Sequence, residues 1–121
     1  MSNELNTPKI LICPTDQRVA SPDFKIGFSN TNISYFVGVD AQDSYPEMLL
    51  VGDRNLTNGS PMPNGLLFLT TNSAAGWTHE LHRLEGNIGL GDGSVQHFDM
   101  LRLRAALRNM GGYGTNRLAI P

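Results

Sequence analysis

A chain of 121 residues is long enough for one domain with a modest core, so residues 1–121 are read as a single domain. With 40% hydrophobic and 17% charged residues and a formal net charge of −2, it has the composition of an ordinary soluble globular domain and offers no electrostatic case for binding nucleic acid or an anionic membrane surface. Its single cysteine, Cys13, excludes an intrachain disulfide, and no apolar run approaches the roughly 20 residues that span a bilayer.

Met1 to Thr7 is polar and is expected to be loose. Lys9 to Cys13 reads as a short strand stopped by Pro14, with Cys13 a buried small hydrophobe rather than a nucleophile. Thr15 to Pro22 is loop, and Phe24 to Phe28 a brief extended piece. Ile33 to Val39 has the β-branched and aromatic content of a strand. After turns in Asp40 to Tyr45, Pro46 introduces the apolar run Met48 to Val51. Asp53 to Asn64 is rich in Gly, Pro, Asn, Ser and Thr and reads as a long surface loop. Leu66 to Thr70 is a continuous apolar strand, Thr71 to Gly76 a loop, and Trp77 to Leu81 leads into a hairpin.

That hairpin is the strongest local signal. Asn87 to Gly91 is the incoming strand and Val95 to Phe98 the outgoing one, and Asp92-Gly93 between them fits a two-residue type I′ turn. A helix follows. Asp99 suits its N-cap, Met100, Leu103, Leu107 and Met110 form one apolar stripe, and Phe98 with Leu103 makes a hydrophobic staple. Gly111-Gly112 stops it, and the Leu-Ala-Ile-Pro ending is expected to tie back onto the sheet. The fold class is α+β: a small antiparallel sheet with hairpins and one C-terminal amphipathic helix.

Several groupings invite chemistry. His82 with Asp92 or Glu85 could act as an acid–base pair, but no nucleophile elbow accompanies them, and Asp92 is accounted for as a turn residue. His79, His82 and His97 offer three imidazoles, which zinc accepts; on extended chain, however, residues three apart face opposite ways. Asp53, Asn55 and Thr57 alternate like the start of a calcium loop, but Gly59 and Asn64 stand where that loop needs other residues, so an Asx-rich turn is preferred. Gly89, Gly91 and Gly93 alternate along a hairpin and open no helix, which excludes a phosphate loop. Arg102, Arg104, Arg108 and Arg117 read as a solvated helix face.

His82, Gly86-Asn87 and Asp92-Gly93 also resemble the His-x(9)-Asp-Gly signature of a prepilin-like family similar to type II secretion pseudopilins. Cys13-Pro14-Thr15-Asp16 is similar to the Cys-Pro-Ser/Ala-Asp element that opens that family's globular head, and Pro46 to Asn55 looks like a later strand ending near an acidic residue, here Asp53. The family's N-terminal cleavage site and long apolar helix are absent from this sequence. The resemblance implies a non-enzymatic structural subunit, the soluble head of a pseudopilin or type IV pilin-like protein, acting in filament assembly or secretion. It places the chain on the periplasmic or cell-surface side of a bacterial envelope, with other pilin-like subunits as partners, no nucleic acid, and membrane attachment only through that helix. No cofactor is expected; calcium, which some major pseudopilins bind in a head loop, would fall to Asp53, Asn55 and Thr57. By analogy, Trp77, Arg102, Arg104, Arg108 and Tyr113 are the contact residues expected. The alternatives are a small extracellular module binding calcium, glycan or peptide, and a hydrolase using His82 and Asp92.

Overall fold

A computed structural model describes residues 7–42, 44–60, 62–79, 81–109 and 115–121. Among these, the strands are β1 Tyr35–Gly38, β2 Leu49–Asp53, β3 Leu56–Thr57, β4 Leu66–Leu69, β5 Gly76–Trp77, β6 Gly86–Leu90, β7 Val95–Phe98 and β8 Asn116–Ala119. The helix α1 spans Met100–Asn109. Six strands form one sheet in the order β4-β8-β1-β2-β6-β7, every neighbouring pair antiparallel, and β3 pairs with β5 in a separate ribbon. The fold is thus α+β, as its patterning predicts.

Period-two alternation explains which side of the sheet is covered. Phe36, Leu67, Leu69, Ile88 and Leu118 are buried, while Val37, Phe68 and Arg117 between them are exposed. Leu103 and Leu107 of α1, with Leu56 and Trp77 of the ribbon, complete the core on that side. Each such side chain contributes about 1.5–3 kcal/mol when fully buried. Trp77 fits because Gly86 has no side chain: a Cβ there would lie 2.4 Å from the indole ring.

The opposite face is open. Cross-strand register runs from Ala119 to Val37, Val51, Gly89 and Val95, and Phe68 lies opposite Arg117 on the adjoining row. Val37, Val51, Phe68 and Val95 are 56%, 40%, 50% and 73% exposed. A register shift between Leu49 and Val51 lets Leu50 face outward as well.

The helix start follows the expectation: Asp99 Oδ1 accepts the Arg102 N–H at 2.8 Å. The C-terminal segment does return to the sheet, inserting as β8 between β1 and β4. Met110, Gly111, Gly112 and Tyr113 lie outside the described residues, as does most of Met1 to Thr7.

Four expectations are corrected. Pro8–Leu11 is a 3-10 turn rather than a strand, because Pro8 fixes φ and the Thr7 side chain accepts the Lys9 N–H. Residues 24–28 bend, since Asp23 Oδ1 accepts the N–H groups of Lys25 and Ile26 in a local turn. The segment read as a surface loop from Asp53 begins with three buried residues, Asp53, Asn55 and Leu56, and contains β3. The hairpin turn is also different. Gly93 N–H donates to Leu90 O, and of Gly91, Asp92 and Gly93 only Gly93 has positive φ, +87°. This is a three-residue loop, a type I turn closed by a glycine bulge.

Candidate functional site

Three distant segments meet where Asp53 ends β2. The first is the turn Cys13–Asp16, closed by the Asp16 N–H donating to Cys13 O at 2.9 Å. Asp16 fixes it in place: Arg54 Nε and a terminal guanidinium nitrogen donate to its two carboxylate oxygens at 2.8 and 2.7 Å, and Ser34 Oγ donates at 2.7 Å. The Arg54 hydrogen bonds are the largest cause that holds the Asp16 carboxyl well below the usual carboxylate range, against an opposing effect of burial. Because Arg54 follows Asp53, this fork brings Cys13 alongside the Asp53 carboxylate.

The second segment is β2 itself. Asp53 shares the parity of Val51 and so points to the open face, yet its side chain is only 3% exposed. The Asn87 N–H of β6 donates to its Oδ2 at 2.7 Å.

The third is the loop between β5 and β6. His82, Arg83 and Leu84 have φ of 47°, 51° and 68°, three successive non-glycine residues in the left-handed region. Such a conformation costs about 1–2 kcal/mol per residue and persists only where surroundings impose it. Here Leu81 is buried, and Asn55 Nδ2 donates to the carbonyls of Thr78, Leu81 and Glu85 at 3.0, 2.9 and 3.4 Å. The amide serves as an anchor around which the loop turns, and the turn delivers the His82 ring to Asp53.

The resulting cluster is tight. His82 Nε2 lies 3.3 Å from Cys13 Sγ and 3.4 Å from Asp53 Oδ2. One donor atom from each of the three residues fits within 4.8 Å of the others, the one such group of His, Cys, Asp and Glu among the described residues. Thr15 Oγ1 is 3.1 Å from the same sulfur. A cavity of about 530 Å³ adjoins the cluster, walled by Tyr35, Val51, Gly89 and Val95. Burial, then the nearby Cys13 sulfur and the carboxylates of Asp53 and Asp16, push the Tyr35 phenol above its ordinary value.

Among the described residues the arrangement lacks the geometry of an acid–base relay. A nucleophile–base–carboxylate chain needs its two partners on opposite ring nitrogens. In this cluster both contacts fall on Nε2. Nor does His82 meet Asp92 or Glu85: Asp92 Oδ1 accepts from the Ser94 N–H and hydroxyl, and Glu85 pairs with His97 at 2.9 Å. The three histidines are likewise separate, His97 on Asn87 and Glu85 and His79 on a small cleft with Asp16, Gln17 and Arg54. The calcium trio is divided as well, since Asp53 holds the Asn87 N–H, Asn55 anchors the loop, and Thr57 Oγ1 accepts the Gly59 N–H. Each oxygen-bearing side chain serves a different neighbour.

The contact residues need one correction. Trp77 is 2% exposed and belongs to the core, because the space over Gly86 admits its ring. Arg102 lies over the Phe98 ring, Arg104 donates to Ala75 O, Arg117 forks onto Asp40, and Arg108 is exposed on α1. Tyr113 is outside the described residues. Residue-type reasoning sets Cys13 aside because it ends an apolar run, and its burial at 5% agrees with that reading. Its proximity to His82 has no local sequence signal; the residues are 69 positions apart.

Compared with known proteins, the chain matches no family model, no curated protein and no solved structure.

Proposed function

We propose that this chain is a non-enzymatic structural subunit: the globular domain of a pseudopilin or type IV pilin-like protein, acting in filament assembly or secretion on the outer side of a bacterial membrane. The observation that carries the reading is the uncovered sheet face, where Val37, Val39, Leu50, Val51, Phe68 and Val95 are exposed. A row of exposed apolar side chains on one sheet face is the kind of surface that another chain covers. The resemblance supplies the type of assembly. Its three segments, Cys13-Pro14-Thr15-Asp16, Pro46 to Asn55 and His82 to Gly93, are remote in sequence and form one structural unit around Asp53. Within the stretch from His82 to Gly93, four of the residues that carry the resemblance have structural roles. Gly86 admits Trp77, Asn87 holds Asp53 and His97, and Asp92-Gly93 makes the turn.

The test is photo-cross-linking in the source cells. A photoactivatable residue placed at position 37 or 95 of the full-length gene product should cross-link, in the envelope fraction, to a second copy or to another subunit. Fractionation with the cytosol and no envelope cross-link from either position would overturn the reading.

A further inference from the structure

The tightest cluster of reactive side chains lies beside the open sheet face, where Val51 and Val95 wall the adjoining cavity, and its geometry does not depend on the proposed function. We propose that Cys13, Asp53 and His82 form a binding site for a single zinc ion, with the fourth coordination position open to the adjoining cavity.

Two of the three donor separations are those of a chelate, and the third pair, Cys13 Sγ and the Asp53 carboxylate, lies within 4.8 Å. A tetrahedral zinc, with bonds of roughly 2.3 Å to sulfur and 2.0–2.1 Å to nitrogen or oxygen, holds its donors roughly 3.3–3.6 Å apart. The separations found are 3.3 Å between Cys13 Sγ and His82 Nε2 and 3.4 Å between His82 Nε2 and Asp53 Oδ2. Hydrogen bonding alone accounts for the cluster poorly. One ring nitrogen carries at most one proton, which would have to be shared between the sulfur and the carboxylate; without it, the nitrogen lone pair faces the Asp53 oxygen. A cation placed between the three atoms satisfies all of them at once.

The donor set selects the ion. Thiolate with imidazole and one carboxylate suits zinc and disfavours calcium or magnesium, which take oxygen. Cys13 releases its proton to solvent on binding, and thiolate plus carboxylate then balance the 2+ charge with neutral imidazole as the third ligand. The surroundings match those of a metal centre. Asp53 Oδ2 is oriented by the Asn87 N–H, the Cys13 sulfur contacts Thr15 Oγ1, and Asn55 locks the loop bearing His82. Asp53 and Cys13 are buried, whereas the His82 side chain is 23% exposed, which leaves an approach from the cavity side. The strain of three left-handed residues is the conformational cost of holding that imidazole in place.

Cobalt(II) titration of the EDTA-treated chain tests this. Because Cys13 is the sole cysteine, a thiolate-to-cobalt charge-transfer band in the wild-type protein can come only from this site. The expected result is that band, with the intense visible bands of tetrahedral cobalt, saturating at one equivalent and displaced by zinc. His82→Asn, which keeps a residue tolerant of positive φ, should weaken cobalt binding by more than about 100-fold, the upper range for loss of even an outer-shell partner. Tryptophan fluorescence and circular dichroism check that the variant is folded. No charge-transfer band at one equivalent of cobalt overturns the proposal, as does a band that a folded His82→Asn retains at wild-type affinity. If His82→Asn fails to fold, Asp53→Asn is the second variant, held to the same criterion. None of these outcomes bears on cross-linking from the open sheet face, so the two proposals fail separately.

Discussion

At the scale of single residues, Asn55 has the greatest structural reach. Its amide nitrogen donates to three carbonyls, its backbone carbonyl accepts the Thr78 N–H at 2.7 Å, and the residue is 1% exposed. Its Oδ1 finds no hydrogen-bond partner among the described residues, so the nitrogen's donors are what retain the side chain there. Replacement by the isosteric Asp removes those donors and turns a carboxylate onto three carbonyl oxygens. Asn55→Asp is therefore expected to lower the stability measured by urea unfolding at pH 7 by about 3–5 kcal/mol, the range for an uncompensated buried charge. A loss below about 1 kcal/mol would show that the loop around His82 holds its shape without this anchor. Nothing in the sequence marks Asn55 as an anchor, since it stands among other Asn, Thr and Gly residues whose composition is that of a turn. Burial distinguishes it, and burial of a polar residue is set by tertiary packing rather than by local pattern.

Elements differ in how far local pattern specifies them. The α1 helix and its Asp99 cap are legible because period and cap agree, with Leu103 and Leu107 of the stripe buried, and β6 and β7 because two alternating runs flank an Asp-Gly pair. The β3–β5 ribbon is not legible, since two-residue strands carry no periodicity and pair only because Leu56 and Trp77 share the core. The turn between β6 and β7 shows the limit within a correct reading: Asp-Gly suits both the two-residue turn and the three-residue loop, and only the backbone angles separate them. Those angles make a prediction. Asp92 has φ outside the left-handed region and binds Ser94 through Oδ1, a bond Asn can reproduce. Asp92→Asn should change the thermal stability by less than about 0.5 kcal/mol. Gly93→Ala, at φ +87°, should cost about 1–2 kcal/mol even though open space surrounds it. Equal effects of the two substitutions would contradict the type I turn with its glycine bulge.

At the scale of the whole molecule, a charged pair joins the N-terminal segment to the sheet, beside the Ser34 N–H bond to Leu11 O and the Arg18 bonds to the carbonyls of Ile33 and Pro121. Asp16 and Arg54 form a forked pair with side chains 1% and 13% exposed. The folded carboxyl titrates below its unfolded value of about 3.9, so its contribution is complete above that value and is lost as pH falls through the lower, folded one. Asp16→Asn is expected to cost about 1.5–3 kcal/mol at pH 7, with the gap to wild type narrowing as urea unfolding is repeated below about pH 4. A gap that stays constant with pH would remove this pair as the cause. The convergence of Cys13, Asp53 and His82 belongs to this scale too. Each residue type is visible in the sequence, but their meeting depends on sheet order, which no local pattern encodes. That order has a further consequence for how the chain is made. β4 pairs only with β8, and β8 fills the position between β4 and β1. A polypeptide leaving the ribosome can form the β1–β2 and β6–β7 pairs early, but β4 has no neighbour until residue 119 has emerged. Until then the backbone edge of β4 that β8 will pair stays open, a period in which a nascent-chain chaperone has a substrate and a protease a target.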